Sequence, residues 1–422
     1  MRETFTRDLQ YAKFSAYGFL KNLRFFEPFM VLFLLEQGIG FLQVGMLYAI
    51  REIAVNVLEI PTGAVADALG RRRTMIASFG SYLLSFVAFW FGSSMLHFVG
   101  AMLLFSFGEA FRTGTHKAMI FAHLRLRGLE RLGNDYYGHT RSWSQAGSAV
   151  SALIAAAIVF GAGNYRSVFL FSMIPYVLDL VLMTTYPKEL DGTTGTFRSS
   201  AIGENLRAIG AGLRETVRRP GAARSVFSAA SFAGLFKGTK DYLQPMIAAL
   251  ALSVPFAPDL AIERREALLI GIAYSVVYAV TSVASRHSAR VAAKFGPPGR
   301  ALNWQLAIGL LLATGAGVSR WLALPVLPVV LFMGMYVLQN LRQPVGVACV
   351  SGRVPESVLA TVLSAQSQLQ SLFAALTAFA VGAVAEAAGG NVGPGILAVG
   401  LVAAVCVPFL WIRVSAGECP AR

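Results

Sequence analysis

Ionisable side chains recur inside apolar stretches of this sequence, where they could bind a charged solute or carry a proton. The residues that could line a solute-binding cavity are Lys21, Arg24, Arg51, Arg112, Lys237, Lys240, Asp241, Gln244, Asn340 and Arg342. The acids that could carry protons are Glu27, Glu52, Glu59 and Glu109. A charge at membrane depth costs at least about 2.5 kcal/mol on insertion scales, so a helix keeps several only where they face water or each other.

Helical spacing places these groups in stripes. The residues that share a face are Glu52, Asn56 and Glu59, at i, i+4, i+7, and Glu109, Arg112 and His116, at i, i+3, i+7. Each stripe could line a cavity while the opposite face meets lipid. Some neighbours could instead neutralise one another, such as Lys237 with Asp241 or Glu109 with Arg112. Both interpretations stay open from spacing alone.

Glu27 has the strongest sequence case for proton transfer. Arg24 lies one turn before it, but Phe25, Phe26 and Phe29 surround it locally, and an apolar environment favours the protonated acid. Pro28 leaves a backbone carbonyl without its helical donor at the same level, as broken helices do at transport sites.

Long apolar helices must hold these groups in place. The chain has 422 residues, of which 55% are hydrophobic and 14% charged, whereas charged residues make up about a quarter of a soluble domain. Its mean hydropathy is +0.60. Apolar runs of about 18 to 25 residues, each long enough to cross a bilayer, predict an all-α membrane protein of twelve spans. The spans are 14–37, 41–66, 74–95, 97–122, 138–161, 166–187, 223–251, 266–287, 301–318, 321–343, 357–385 and 393–414.

The basic residues predict an orientation. The net charge is +14, and most Lys and Arg fall in segments that lie on one side if both termini are cytoplasmic. On the other side lie Arg166, Arg264, Arg265 and Arg320. The positive-inside bias therefore predicts a multi-pass inner (plasma) membrane protein with cytoplasmic termini. A basic cytoplasmic face also favours anionic membrane lipid, so the charge calls for no nucleic-acid partner.

A polar stretch divides the chain into two halves. We expect a six-helix bundle over 1–187, a cytoplasmic linker with an amphipathic surface helix over 188–222, and a second six-helix bundle over 223–422. The halves match at corresponding helices, which favours internal duplication. The aligned pairs are Lys21 with Lys237, Arg24 with Lys240, Glu27 with Gln244, Pro28 with Pro245, Glu109 with Gln339, and Arg112 with Arg342. The halves thus share cations, and the acids of the first half are amides in the second.

The turn between the second and third spans reads G-A-V-A-D-A-L-G-R-R-R, from Gly63 to Arg73. This segment resembles the signature loop of the major facilitator superfamily, and the resemblance extends over the whole chain. The residues that match the family pattern are Gly63, Asp67, Gly70, Arg71 and Arg72, which the resemblance implies to form a gating loop. Val65 and Ala68 depart from the pattern. The fifth span lacks the proline of the family's drug exporters.

The resemblance implies two six-helix bundles that expose a central cavity to each side in turn, with helices 1, 4, 7 and 10 around the path. These are four of the five helices that carry charges here. Paired cations along that path predict a transporter for a small anionic or zwitterionic solute, with protons as the coupling ion.

Two other transport functions stay open. A lipid or lysolipid flippase would use a charged cavity with aromatic walls such as Phe25, Phe26 and Phe29. A transition-metal transporter would use Glu109, His116 and His123, although nearby cations oppose it. Motifs for a nucleophile with its base, or for a metal cluster, do not occur, so we expect no enzyme, no cofactor and no metal site. We expect a monomer.

Overall fold

A computed structural model describes residues 7–192 and 199–413, and these residues form helices joined by short turns. The α-helices are α1 (Leu9–Leu20), α2 (Met30–Glu36), α3 (Phe41–Leu69), α4 (Arg71–Phe91), α5 (Met95–Arg112), α6 (Thr115–Leu126), α7 (Gly133–Ala162), α8 (Ser167–Thr184), α9 (Ser199–Arg218), α10 (Pro220–Thr239), α11 (Leu243–Ser253), α12 (Ile262–Ala293), α13 (Pro298–Trp321), α14 (Leu327–Ser351), α15 (Glu356–Ala387), α16 (Val392–Val405) and α17 (Val407–Leu410).

These helices build the twelve predicted spans, so the predicted fold class is confirmed. Eight spans are single helices, whereas spans 1, 4, 7 and 12 each consist of two helices in series: α1 with α2, α5 with α6, α10 with α11, and α16 with α17. Within the described residues, seven helices are long and apolar enough to cross a membrane on their own. The helix α9 occupies the linker between spans 6 and 7, and residues 193–198 of that linker lie outside the described part.

Three of the broken spans are interrupted beside their charged residues. Span 1 leaves the helix after Leu20 and resumes through a 3-10 turn, Glu27–Phe29, at the level of the predicted Pro28. Span 4 turns at Gly114, whose φ of 81° suits glycine, two residues after Arg112. Span 7 has a 3-10 turn at Lys240–Tyr242. A break exposes backbone N–H and C=O groups that must find partners, so polar groups concentrate there.

Several boundaries differ from the predicted ones; span 5 begins at Gly133 instead of 138, and span 8 runs over Ile262–Ala293 instead of 266–287. Span 9 continues to Trp321 instead of ending at 318, and span 10 runs over Leu327–Ser351 instead of 321–343. Pro325 and Pro328 explain the shift, because proline fits the first turn of a helix better than its interior. Most of the predicted gating loop is helical, since α3 ends at Leu69 and α4 begins at Arg71. A single residue, Gly70, with a φ of 92°, joins the two helices.

The helices pack into two compact units. Unit 1 comprises Met1–Phe29 and Ala54–Asn205, and unit 2 comprises Met30–Ile53 and Leu206–Arg422. Unit 2 therefore contains α2 and the first part of α3 together with the helices of the second half. The predicted domain boundaries, drawn at the linker, stay a prediction.

Glycines allow close helix packing at matching places in the two units. In unit 1, Gly18 of α1 leaves room for Ser144 of α7, whose Oγ would lie 2.9 Å from an added Cβ. In unit 2, Gly238 of α10 leaves room for Ala374 of α15, whose carbonyl would lie 2.5 Å from an added Cβ. Spans 1 and 5 thus pack as spans 7 and 11 do, in agreement with the six-helix offset of the sequence.

Candidate functional site

Glu109 joins the cations of unit 1. Its Oε2 lies 3.3 Å from Nη2 of Arg24, and its Oε1 accepts a hydrogen bond from Arg112, one turn later on α5. The hydroxyl of Tyr82 donates to Oε2 over 2.6 Å and accepts from Nε of Arg112 over 3.1 Å. Three donors to one carboxylate favour its ionised form, so Glu109 is a fixed negative charge between two arginines.

The other predicted groups of span 1 lie beside this centre. Glu27 is 3.8 Å from Nη1 of Arg24. Lys21, at the end of α1, is partly exposed, and its ammonium has no hydrogen bond or ion pair with any described residue. Lys21 differs in this from Arg24 and Arg112, which both form ion pairs with Glu109.

Unit 1 also holds an acid that the sequence analysis did not select. Asp179 of α8 has no exposed surface, and neither of its carboxyl oxygens has a hydrogen-bond partner among the described residues. The charges that act on it are those of Lys21 and Arg112. The signal was present in the sequence, because Asp179 is a single acid in the apolar span 166–187 and is subject to the same membrane-cost argument as the other charges.

His116 is part of an aromatic stack. Its ring lies 3.6 Å from that of Tyr17, and its Nε2 is 3.2 Å from the hydroxyl of Tyr186. Glu109, the acid on the same stripe, is held by arginines. The contacts of His116 and Glu109 are therefore made within the protein and do not favour the metal path.

In unit 2, Glu52 is the acid at the centre of the charged residues. It is 3% exposed, and its carboxylate lies 2.6 Å from Nζ of Lys237 and 3.1 Å from Nη2 of Arg51. The guanidinium of Arg51 also lies over the ring of Tyr48, 4.5 Å from its centroid. Glu52 thus pairs two of the predicted cavity cations, of which Lys237 stays partly exposed.

The break in span 7 holds two further predicted residues. Nζ of Lys240 lies 2.9 Å from Oδ1 of Asp241, which is buried. The backbone carbonyl of Lys240 accepts a 2.8 Å hydrogen bond from the hydroxyl of Tyr336 on α14. The polar groups of this break are therefore satisfied by each other and by α14.

Gln244 is fully buried, and its Oε1 accepts a 2.8 Å hydrogen bond from the backbone N–H of Val31. Val31 is in the first turn of α2, where N–H groups lack helical partners, so Gln244 caps the resumed part of span 1. Asn340 donates to the carbonyl of Tyr336, 2.9 Å away on the same helix.

Arg342 lies inside unit 2 and not on a cavity wall. It is 2% exposed and donates to the carbonyl of Ser228 over 2.9 Å, to its hydroxyl over 2.8 Å, and to the carbonyl of Leu302. Its guanidinium also lies 5.2 Å from the ring centroid of Phe232. Neutral groups of two helices, α10 and α13, thus hold the cation that corresponds to Arg112.

The predicted gating residues lie at the turn between α3 and α4. Gly63 and Asp67 belong to α3, and the side chain of Asp67 lies outside the described part of the chain. Oδ1 of Asp191 accepts a 2.6 Å hydrogen bond from the backbone N–H of Arg72 and would lie 3.1 Å from a Cβ at Gly70. Asp191 therefore caps α4, and this contact requires glycine at position 70.

The remaining arginine contacts bind this turn to the end of α8. Nη1 of Arg72 donates to the carbonyl of Tyr186 over 3.2 Å, and Arg71 packs beside Gly192. Glu59, the last predicted acid, is partly exposed on α3. Its carbonyl accepts a 2.7 Å hydrogen bond from Thr62.

Comparisons with known proteins agree with this architecture. The sequence model described as "Major Facilitator Superfamily" matches residues 16–378. The uncharacterised MFS-type transporter YxaM of Bacillus subtilis (strain 168) is 26% identical over 180 residues, a match that covers 42% of this chain and only 43% of that relative.

Two solved structures share the fold at low sequence identity. The nucleoside transporter NupG has a TM-score of 0.73 at 13% identity, covering 96% of this chain and 97% of its own. A D-xylose–proton symporter has a TM-score of 0.66 at 13% identity, covering 97% of each chain. Identities this low show the fold, and the solute has to be argued from the site.

Proposed function

The chain belongs to the Major Facilitator Superfamily, and we propose that it is a proton-coupled transporter that moves a small anionic or zwitterionic solute across a bacterial inner membrane by alternating access. Secondary transport follows from the family, whereas the solute class, the coupling ion, the cytoplasmic termini and the monomeric state are our proposal. One observation supports the solute class most directly, namely the unpaired ammonium of Lys21.

Lys21 offers a positive charge to a ligand. Arg24 and Arg112 already share Glu109, and in unit 2 Arg51 and Lys237 share Glu52. Lys21 has no such partner among the residues that the structure describes, and it is partly exposed. A cation held at membrane depth without an ion pair in direct contact is costly, so an anion that binds there gains the contact that the protein leaves open. A carboxylate or phosphate group would supply that charge.

Alternating access requires contacts that can be made in one state and broken in the other. Unit 2 contains such contacts between segments from the two sequence halves, because Lys237 of α10 pairs with Glu52 of α3, and Gln244 of α11 caps α2. Gly45 of α3 and Gly382 of α15 also approach closely. An ion pair and a side-chain helix cap can break and form again, which supports the proposed exchange between two states.

Thermal stability of the purified protein in detergent tests the solute class, because a ligand stabilises the state that it binds. The probes are acetate, succinate, citrate, glutamate and glycine, with glucose as an uncharged compound and putrescine as a cationic one. We expect at least one carboxylate to raise the melting temperature of the parent protein and to lose this effect in Lys21→Gln.

Lys13→Gln is the matched control. Lys13 lies on the same helix, two turns earlier, and donates to the carbonyl of Thr185 at an exposed position, so its loss should leave ligand stabilisation unchanged. A carboxylate that stabilises Lys21→Gln as strongly as the parent would exclude Lys21 as the anion site. Stabilisation by glucose or putrescine alone would overturn the solute class.

A further inference from the structure

We propose that Asp179 carries the coupling proton, and that its carboxylate and the solute anion alternate as the counter-ion of Lys21. This inference rests on the proposed function, which it extends by naming the proton-carrying residue and the direction of coupling. Asp179 takes up a proton from water and becomes a neutral carboxylic acid, and it returns the same proton to water when it ionises again. No other bond changes.

The position of Asp179 is the first observation. Its side chain is fully buried in α8, and both carboxyl oxygens lack a hydrogen-bond donor among the described residues. Burying an ionised carboxylate without donors is costly, and such a group is retained in membrane spans mainly for function. Glu109, 22% exposed at its side chain, has three donors instead. Glu109 is thus built to stay charged, and Asp179 is built to change charge.

Charged and titratable groups around Asp179 lie on α5, on α8 itself, and on span 1, α4 and α7, whose helices pack against α8. From span 1 come Lys21 and Tyr17, from α5 comes Arg112, and α8 itself supplies Tyr176 one turn earlier. The buried hydroxyls of Tyr17 and Tyr176 donate no hydrogen bond to Asp179 within the described part of the chain.

Three further tyrosines complete the surroundings. Tyr186 lies just beyond α8, and its hydroxyl is engaged with His116 and with the carbonyl of Lys13. The helices α4 and α7 contribute Tyr82, whose ring packs on Tyr176, and Tyr136, whose charge would act on Tyr186. Lys21 and Arg112 are therefore the cations that act on Asp179, and Arg112 is already bound to Glu109.

Charge neutrality gives the direction of coupling. We define the charge cluster of unit 1 as three cations, Lys21, Arg24 and Arg112, and three acids, Glu27, Glu109 and Asp179. With Asp179 ionised, the cluster is neutral and has no excess charge for an anion. With Asp179 protonated, it carries one excess positive charge, located on the unpaired Lys21.

Proton and anion therefore bind together and leave together. Loss of the proton restores the Asp179 carboxylate, which attracts the ammonium of Lys21 and displaces the solute. The flexible stem of lysine allows its ammonium to move between the two partners without helix motion. The coupled process is symport of one proton with one anionic charge.

The pH dependence of binding tests this mechanism, with the same panel of acetate, succinate, citrate, glutamate and glycine as probes. For one linked proton, the affinity of the parent should fall about tenfold per pH unit above the midpoint of Asp179 titration. We expect Asp179→Asn to keep binding at low pH and to lose this slope. Proteoliposomes with an entrapped pH dye should show solute-driven proton entry in the parent and none in Asp179→Asn.

Infrared difference spectra provide a readout that needs no solute. A pH titration of the parent should show the carbonyl band of a buried protonated carboxyl group, absent from Asp179→Asn and retained in Glu109→Gln. Asp179→Leu, which places an apolar group in an apolar span, serves as a second variant if the asparagine variant does not fold.

The outcomes separate the two proposals. If no anion binds but the infrared band depends on Asp179, the solute class fails and the proton site stands. If an anion binds with the same pH slope in parent and Asp179→Asn, the proton site is wrong and the proposed function stands. Loss of binding in Asp179→Asn as complete as in Lys21→Gln would reduce Asp179 to a structural residue.

Discussion

The two units bind corresponding arginines, Arg112 and Arg342, in different ways. In unit 1, Arg112 is bound by the carboxylate of Glu109 and by Tyr82, within a cluster that also holds Lys21 and Asp179. In unit 2, Arg342 is bound by backbone carbonyls and the hydroxyl of Ser228. Both halves have an arginine at this position, whereas the acid of the first half, Glu109, corresponds to the amide Gln339 in the second.

Arg342 is therefore a cation bound by neutral groups, whereas Arg112 belongs to a cluster of cations and acids. Neutral acceptors hold Arg342, and the titratable group that acts on its charge is the buried thiol of Cys349 and not a carboxylate. In unit 1 a single proton on Asp179 changes the sum of charges around Lys21. The two units thus differ in whether a carboxylate lies beside the corresponding arginine.

Among the variants that test this comparison, Glu109→Gln should lose the most stability. The variant leaves Arg24 and Arg112 close together without their shared carboxylate, and breaking a buried ion pair by removing one partner costs about 3–5 kcal/mol. We expect a strongly lowered melting temperature in detergent. Gln339→Leu, at the corresponding position of α14, is the control and should have little effect. Equal effects of the two variants would contradict the asymmetry.

Tyr82→Phe should have the next largest effect. It removes the hydroxyl that connects Glu109 and Arg112, and hydrogen bonds to charged groups contribute about 1.5–3 kcal/mol. Thermal unfolding should show this loss. Tyr176→Phe is the matched control, since its buried hydroxyl has no partner within the described residues and should be dispensable for stability. A larger loss in Tyr176→Phe would refute the network.

Arg342→Met should cost less than about 2 kcal/mol, because the groups that it leaves unpaired are neutral. Arg112→Met should lower the free energy of unfolding more than Arg342→Met does, because it removes one of the two arginines that form ion pairs with Glu109. Parallel unfolding of the two variants measures the difference directly. If Arg342→Met is the more damaging variant, Arg342 has a role beyond packing in unit 2.

The smallest expected effect comes from the helix caps. Asp191→Asn weakens the charged cap of α4 in unit 1 and should cost about 1 kcal/mol. In unit 2, Glu386 lies near the start of α3 with a longer hydrogen bond of 3.4 Å to Leu42, so Glu386→Gln should cost less. Amide hydrogen exchange in the first turn of α4 and of α3 checks this order. If exchange increases more in Glu386→Gln than in Asp191→Asn, the order is wrong.

Part of the site was predictable from the sequence. The cost of charges in a bilayer selected Lys21, Arg24, Glu109 and Arg112, and helical spacing predicted the pairing of Glu109 with Arg112 as one of two alternatives. The same cost argument applies to Asp179, but a single acid in a span has no stripe to draw attention to it. Pairs between distant residues, such as Glu52 with Lys237, leave no local pattern at all.

The sequence by itself determined the membrane fold, the twelve spans and the family. The thickness of the bilayer sets the length of an apolar helix, and the family motif is a short local segment, so both can be recognised without the tertiary structure. Only the tertiary structure decided which charges are neutralised and which are not. That outcome depends on contacts between helices far apart in the chain, such as those that join Glu109 to Arg24 and leave Lys21 without an ion pair among the described residues.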